Sequence, residues 1–171
     1  MTQVLISLVE IARLRRDPSI LPASLTLVVI LAVAYAGSSA VQSWMLYEGD
    51  RLLARTAADL GLTFGTFWLV LAVTRRLHRY RQTMNAVLGT SVLLTPLLML
   101  LIALQQPAEM FYPVKLMAWA ASIGVIVWYT LIVGHILRSA LEIGFVTSIA
   151  IAITTVIVGN AVLGKLFPVA A

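Results

Sequence analysis

The stretch LPASLTLVVILAVAYAGSSAVQSWML, residues 21–46, contains no charged side chain and decides the class of fold. A helix needs about 20 mainly apolar residues to cross roughly 30 Å of hydrocarbon. Lipid offers no hydrogen-bond partner to the backbone, so a crossing segment of this kind must be helical. Residues 21–46 are therefore predicted to be a transmembrane helix.

Four more apolar stretches follow, and they are predicted spans at residues 56–74, 83–104, 116–137 and 145–166. The chain is 61% hydrophobic and 11% charged, with a mean hydropathy of +0.99. Soluble domains are about 45–50% apolar and about 25% charged. The sequence predicts an all-α, polytopic membrane bundle of five transmembrane helices, forming a single domain over residues 1–171.

Residues 1–16 carry a separate, periodic pattern. The arginines follow the apolar residues rather than precede them, which is not the order in a secretory signal. The apolar positions recur at helical spacing, at Val4, Leu5, Leu8, Val9 and Ala12. We predict an amphipathic interfacial helix lying in the headgroup plane, with a frayed extension of the first span as the alternative. Whether this helix rests on lipid or on a protein partner stays open.

The distribution of positive charge predicts the orientation. Eight of the 12 lysine and arginine residues flank one side of the predicted bundle, and four flank the other. By the positive-inside rule, the N-terminus is cytoplasmic and the C-terminus is periplasmic, in a bacterial inner membrane. This topology explains the net charge of +5 without nucleic acid as a partner.

Few residues have the chemistry of an active site. The chain has no cysteine, and His78 and His135 lie in no metal-binding motif, so the sequence predicts no cofactor, no metal site and no catalytic residue. His135 is either a proton relay or the hydrogen-bond partner of a neighbour. Arg138 and Glu142, four residues apart, are predicted to form an ion pair at a helix end.

Small residues indicate where helices pack. Gly61 and Gly65 form a GxxxG pattern, which lets a second helix backbone approach closely. The first span has a matching face of small residues at Ala36, Gly37 and Ala40. We predict that these two faces meet.

Asp59 is an acidic residue inside the second predicted span. It is expected near the outer membrane boundary, where it either begins the helix, with the dipole favouring its charge, or pairs with Arg55. Because small residues follow it, the surrounding interface is expected to exclude water. Asp59 is therefore predicted to anchor the loop and not to carry protons.

The same region resembles the Yip family of small five-span membrane proteins. That family has an Asp-Leu-Tyr-Gly-Pro-Phe-Trp run, and residues 59–60 (DL) and 65–68 (GTFW) are similar to its two ends. Four residues replace the single tyrosine, and threonine replaces the proline. Residues 88–96 and 128–153 resemble later spans of the family. The resemblance implies a five-helix fold without a catalytic residue. Eukaryotic relatives bind prenylated Rab GTPases through a long N-terminus, which is not expected in this chain, so the resemblance does not imply that role.

Three functions are compatible with these features. The first is a non-enzymatic scaffold or accessory subunit, in contact with the lipid bilayer and with other membrane subunits or copies of itself. The second is a small transporter or channel for an ion, solute or lipid. Its path would need polar groups at mid-depth, the candidates being Thr63, Thr66, Ser91, Thr95 and Thr154. The third is a lipid-modifying enzyme that uses His135 or His78.

Overall fold

A computed structural model describes residues 2–46, 51–106 and 111–167, and the regular structure of these residues is entirely helical. The helices are α1 (Thr2–Ala12), α2 (Leu25–Leu46), α3 (Leu52–Val73), α4 (Tyr80–Gln105), α5 (Tyr112–Leu141) and α6 (Phe145–Leu166). Short 3-10 turns at Pro18–Ile20 and Leu77–Arg79 precede α2 and α4.

The predicted fold class is confirmed. Within the described residues, α2 to α6 are five helices long and apolar enough to cross a membrane, and a short N-terminal helix precedes them. Helix α6 has the predicted bounds, whereas α3 and α5 extend past theirs, to Leu52 and Leu141. Charged residues such as Arg55 and Arg138 continue a helix without strain, so the apolar runs underestimate the lengths of α3 and α5. Helix α2 is shorter than predicted, because it begins at Leu25 rather than at residue 21.

Helix α4 is the centre of the bundle. It packs against α2, α3 and α5, while α6 packs mainly on α5. The first half of α4 is buried on several sides, and Met84, Ala86, Val87 and Leu88 are fully inaccessible.

Helix α1 is present as predicted, and it packs on α4 and α5. Leu8 and Ile11 are buried, and the Trp128 indole nitrogen donates a hydrogen bond to the Ala12 carbonyl at 2.9 Å. Of the predicted apolar side, Leu8 and Ala12 are buried within the protein, whereas Leu5 is 55% exposed. A segment of residues 13–24 without α-helix separates α1 from α2, so the frayed-extension alternative is wrong. The protein core, in addition to any lipid surface, therefore holds α1 in place.

The predicted contact between the two small-residue faces is wrong. A Cβ atom built on Gly37, Gly61 or Gly65 would meet nothing within 4 Å, and Ala36 and Ala40 are only half-buried. Helices α2 and α3 do pack together, but through the sides that carry their polar residues. Polar groups facing lipid would lose their hydrogen-bond partners, so the polar sides turn inward and the glycines turn outward.

The end of the bundle that carries Arg16, Arg76, Arg79 and Arg138 is referred to below as the arginine-rich end. Glu142 follows α5 there in a left-handed conformation, with φ of 57°. Its carboxylate binds Arg76 at 2.7 Å and Arg79 at 2.5 Å. The predicted Arg138–Glu142 pair is therefore wrong, because the left-handed turn at Glu142 directs the carboxylate towards the turn between α3 and α4.

A polar cavity between the five long helices

A cavity of about 410 Å³ lies between the long helices, and all five contribute to its lining. Polar side chains come from every helix. They include Tyr35 and Ser39 of α2, Arg55, Asp59 and Thr63 of α3, Ser91 and Thr95 of α4, Tyr129 of α5, and Thr155 and Asn160 of α6. The volume falls in the range of about 300–1,000 Å³ that is typical of small-molecule sites. The cavity is thus large enough for a small ligand.

Asp59 is the acidic side chain among the lining residues. Because α3 begins at Leu52, Asp59 lies about two turns inside the helix, and the prediction that it starts the helix is wrong. Its Oδ2 atom accepts hydrogen bonds from the Tyr35 hydroxyl at 2.9 Å and the Ser39 hydroxyl at 2.7 Å. The alternative pairing with Arg55 stays a prediction.

On the opposite wall, hydroxyl groups of α4 and α5 meet. The hydroxyl oxygens of Ser91 and Tyr129 are 3.1 Å apart, and Ser91 also donates to the Val87 carbonyl at 2.8 Å. The Thr95 hydroxyl donates to the Ser91 carbonyl at 2.8 Å. Interhelical bonds of this kind between polar side chains hold membrane helices together.

The residues proposed for a transport path are mostly brought together. Thr63, Thr66, Ser91 and Thr95 all line the cavity. Thr154 does not: its exposed hydroxyl bonds the Ala150 carbonyl of its own helix. The expectation that the interface beside Asp59 is too closely packed for water is wrong, because the small residues face away from this cavity.

Sequence reasoning missed Tyr35, Ser39 and Tyr129. A signal for two of them was available, because Tyr35, Ser39 and Ser43 recur every four residues in α2 and therefore share one helix side. Polar residues at this spacing within an apolar span indicate a side that faces protein or water. Tyr129 has no such repeat, and only the fold shows that it faces Ser91.

The other candidate residues lie outside the cavity lining, at or near the arginine-rich end. His135 is 3.0 Å from the Arg16 carbonyl, which matches the hydrogen-bonding alternative for this histidine. Asp17 accepts hydrogen bonds from the Ser139 hydroxyl at 2.6 Å and the Ser19 amide at 2.7 Å. The bond from Ser139 lowers the pKa of Asp17. These contacts tie the segment after α1 to the end of α5.

The Arg76 hydrogen bond, helped by the nearby charges of Arg76 and Arg79, lowers the pKa of the Glu142 carboxyl. This ion cluster joins the α3–α4 turn to the α5–α6 turn. Among the described residues, no group of three or more histidine, aspartate or glutamate side chains is placed to hold a metal ion. At this end of the bundle, hydrogen bonds and ion pairs connect segments that are distant in sequence.

No protein-family model, no curated protein and no solved structure matches the chain.

Proposed function

We propose that this integral membrane protein is a small transporter or channel that binds a small polar solute in the cavity between its five long helices. The observation that carries the proposal is the placement of the Asp59 carboxylate in a 410 Å³ cavity lined by all five helices. An ionisable group inside a membrane span is costly and usually marks a solute or ion path.

The polar side chains in the cavity lining support this proposal over a purely structural role. In a bundle that acts only as a scaffold, a space lined by polar side chains would not increase stability, whereas close apolar packing would. Here, hydroxyl groups from α2, α4 and α5 and a carboxylate from α3 line one space. Water or a polar solute would compensate these groups for the hydrogen bonds that they lose in lipid.

Cysteine accessibility tests the proposal directly, because the chain has no cysteine of its own. Thr63→Cys and Thr95→Cys place thiols in the cavity, whereas Leu69→Cys is on the outward side of α3 and Ala86→Cys is fully buried. In proteoliposomes, a charged thiol reagent should modify the two cavity positions at least ten times faster than the two controls. A thiol reacts as its thiolate, which requires water.

Equal and slow modification at all four positions, in protein that is monodisperse and helical, would show that the cavity does not admit water. The transport proposal would then fail.

A second candidate is the scaffold or accessory subunit, favoured by one specific observation. Gly61 and Gly65 face away from the bundle, where their backbone is open to close approach by another helix. Purification in mild detergent should then recover a stoichiometric membrane partner or a homo-oligomer. The matched variant Gly65→Leu should lose that partner, while Leu69→Ala on the same side of α3 should keep it.

The proposed setting is a bacterial inner membrane, with the arginine-rich end in the cytoplasm and the C-terminus in the periplasm. The bias of positive charge towards that end supports this orientation. The proposed role is not enzymatic. Membership of the Yip family is likewise a proposal, supported by the DL and GTFW residues at positions 59–60 and 65–68.

A further inference from the structure

The cavity lies off-centre along the length of the bundle. Helices α2, α4 and α6 begin at the arginine-rich end, and α3 and α5 finish there. We refer to the opposite end of the bundle as the far end. On α2, α3 and α6 the cavity lining extends to within three residues of the far end of the helix, at Ser43, Arg55 and Leu163. The cavity therefore approaches the far end.

Towards the arginine-rich end, the lining stops well short of the helix ends. The nearest lining residues on α3 and α5 are Phe67 and Val133, which lie six and eight residues before these helices finish. On α4 the nearest is Ser91, 11 residues after the helix begins. At a rise of 1.5 Å per residue, about 9 Å or more of helix separates the cavity from this end.

A layer of apolar side chains fills this interval. Three or four residues from a lining residue, and so on the same side of its helix, lies a side chain that is 0% exposed. We refer to five such side chains as the apolar seal: Leu71 of α3, Val87 and Leu88 of α4, Leu137 of α5 and Ala152 of α6. All five belong to one contiguous core, on which Leu31 of α2 also packs. The buried hydroxyls next to the seal along α4 and α6, Thr90 and Ser148, donate to carbonyls of their own helices.

The two sides of the cavity therefore differ in what they offer a polar solute. Towards the far end, Gln42, Ser43 and Asn160 continue the polar lining. Towards the arginine-rich end, a solute would lose its hydrogen bonds with water and find no partner in the seal. Apolar constrictions of membrane channels exclude water and ions for this reason. Because closely packed side chains leave no gap for water, passage requires the seal to separate.

From this asymmetry we infer that the cavity exchanges its solute at the far end, and that the apolar seal is the gate between the cavity and the arginine-rich end. The structure shows this gate closed. Passage to the arginine-rich end requires α3, α4 and α5 to move apart at Leu71, Val87 and Leu137. The inference rests on the proposed function and specifies how access to its site is controlled.

Sided modification of single cysteines in membrane vesicles tests the inference. Right-side-out and inverted vesicles from expressing bacteria present opposite ends of the protein to a charged, membrane-impermeant thiol reagent. Two exposed positions identify the ends, His78→Cys at the arginine-rich end and Tyr112→Cys at the start of α5. Thr63→Cys lies in the cavity. It should react in the vesicles in which Tyr112→Cys reacts, and at least ten times more slowly in those in which His78→Cys reacts.

This comparison refers to the two ends of the protein, so it does not depend on the predicted topology. Faster reaction of Thr63→Cys from the arginine-rich end, or equally fast reaction from both ends, would overturn the inference. In either case the cavity would still admit water, and the transport proposal would stand. Slow reaction from both ends would overturn the transport proposal and the inference together.

Substitutions that thin the seal test the gate itself. In the Thr63→Cys protein, Leu71→Ala removes most of a fully buried side chain and leaves a void. It should raise the modification rate from the arginine-rich end at least fivefold, while an unchanged rate from the far end shows that the variant is folded. Val87→Ala tests the same layer from α4 and should act in the same direction.

The matched control is Leu69→Ala, because Leu69 lies two residues from Leu71 on the exposed side of α3. It should change neither rate. If Leu71→Ala and Val87→Ala both keep the rate from the far end and neither raises the rate from the arginine-rich end, the assignment of the gate is overturned. An increase with Leu69→Ala as large as that with Leu71→Ala would overturn it as well.

Discussion

At the scale of single residues, the Asp59 carboxylate connects two helices and belongs to the cavity at the same time. One oxygen of this carboxylate accepts the hydroxyls of Tyr35 and Ser39, both from α2. Both hydrogen bonds cross the interface between the two helices, so the contact stabilises the α2–α3 pair as well as shaping the site.

Two substitutions of Asp59 should distinguish the loss of its hydrogen bonds from the loss of its charge. Asp59→Leu leaves two hydroxyl donors without an acceptor and should lower the free energy of unfolding by about 1–3 kcal/mol. Asp59→Asn retains an acceptor oxygen and should cost less than half as much. Titration with sodium dodecyl sulfate in mixed micelles measures both values, with Ser38→Ala as the control. Equal losses for the two variants would contradict this account.

Glu142 is the second residue with a testable charge. Its pKa is lowered from the ordinary value of 4.5 by the hydrogen bond from Arg76 and by the charges of Arg76 and Arg79. A lowered pKa in the folded state means that the carboxylate stabilises the fold above pH 4.5 and loses this effect as the pH falls through the folded pKa.

The difference in melting temperature between the wild type and Glu142→Gln should therefore be largest at neutral pH. It should shrink towards zero as the pH falls below 4.5. Both proteins retain Asp17, so the comparison isolates Glu142. A difference that is independent of pH would show that the Arg76 and Arg79 contacts do not stabilise the fold.

At the scale of elements, α1 illustrates how a short helix becomes part of a membrane bundle. Eleven residues are too few to span, yet α1 buries Leu8 against the backbone of Gly89, where a Cβ atom would lie 2.5 Å from the leucine. The absence of a side chain at Gly89 creates the depression that receives Leu8. This contact lies on α4 two residues from Ser91, so α1 supports the helix that carries part of the cavity wall.

Two leucines of α1 provide a matched comparison of this contact. Leu8 is 1% exposed and Leu5 is 55% exposed, in the same helix. Leu8→Ala should lower the free energy of unfolding by on the order of 2 kcal/mol, because it leaves a void against α4. Leu5→Ala should change it by a few tenths at most. Equal effects of the two substitutions would mean that α1 does not pack as described.

Gly134 and Gly65 provide a second matched comparison, because another helix packs closely on Gly134 but not on Gly65. A Cβ atom on Gly134 would overlap the Ile149 side chain and lie 3.4 Å from its Cα atom, whereas one on Gly65 would have no neighbour within 4 Å. Gly134→Leu should destabilise the α5–α6 pair by about 1–3 kcal/mol through overpacking, while Gly65→Leu should not destabilise the monomer. Thermal unfolding in detergent tests both, and a larger loss at Gly65 would contradict the described packing.

At the scale of the whole molecule, the five long helices and the position of the arginines imply one orientation. Reporter fusions after Arg81 should report the cytoplasm, and fusions after Ala171 should report the periplasm, because three spans, α4 to α6, separate the two fusion sites. The residues after 167 lie outside the described part of the chain, but the fusion requires only their side of the membrane. The same side for both fusions would exclude this topology.

The sequence by itself determined the class of fold, the number of long helices and their approximate positions, to within about four residues at each end. Those properties depend on the length of each apolar run and on the need of every backbone group for a partner in lipid, and both are local. The presence of α1 was also predictable, since its residues repeat at helical spacing.

Only the tertiary structure decided which side of each helix faces inward. Gly61, Gly65 and Asp59 lie on one helix, and the sequence favoured the glycines as the packing side because their spacing is a known motif. The structure buries the polar side instead, because Asp59 accepts hydrogen bonds from two α2 residues that are distant in sequence, Tyr35 at 24 residues and Ser39 at 20 residues. Rotation of a helix about its axis depends on such distant partners, so it cannot be read from one segment alone.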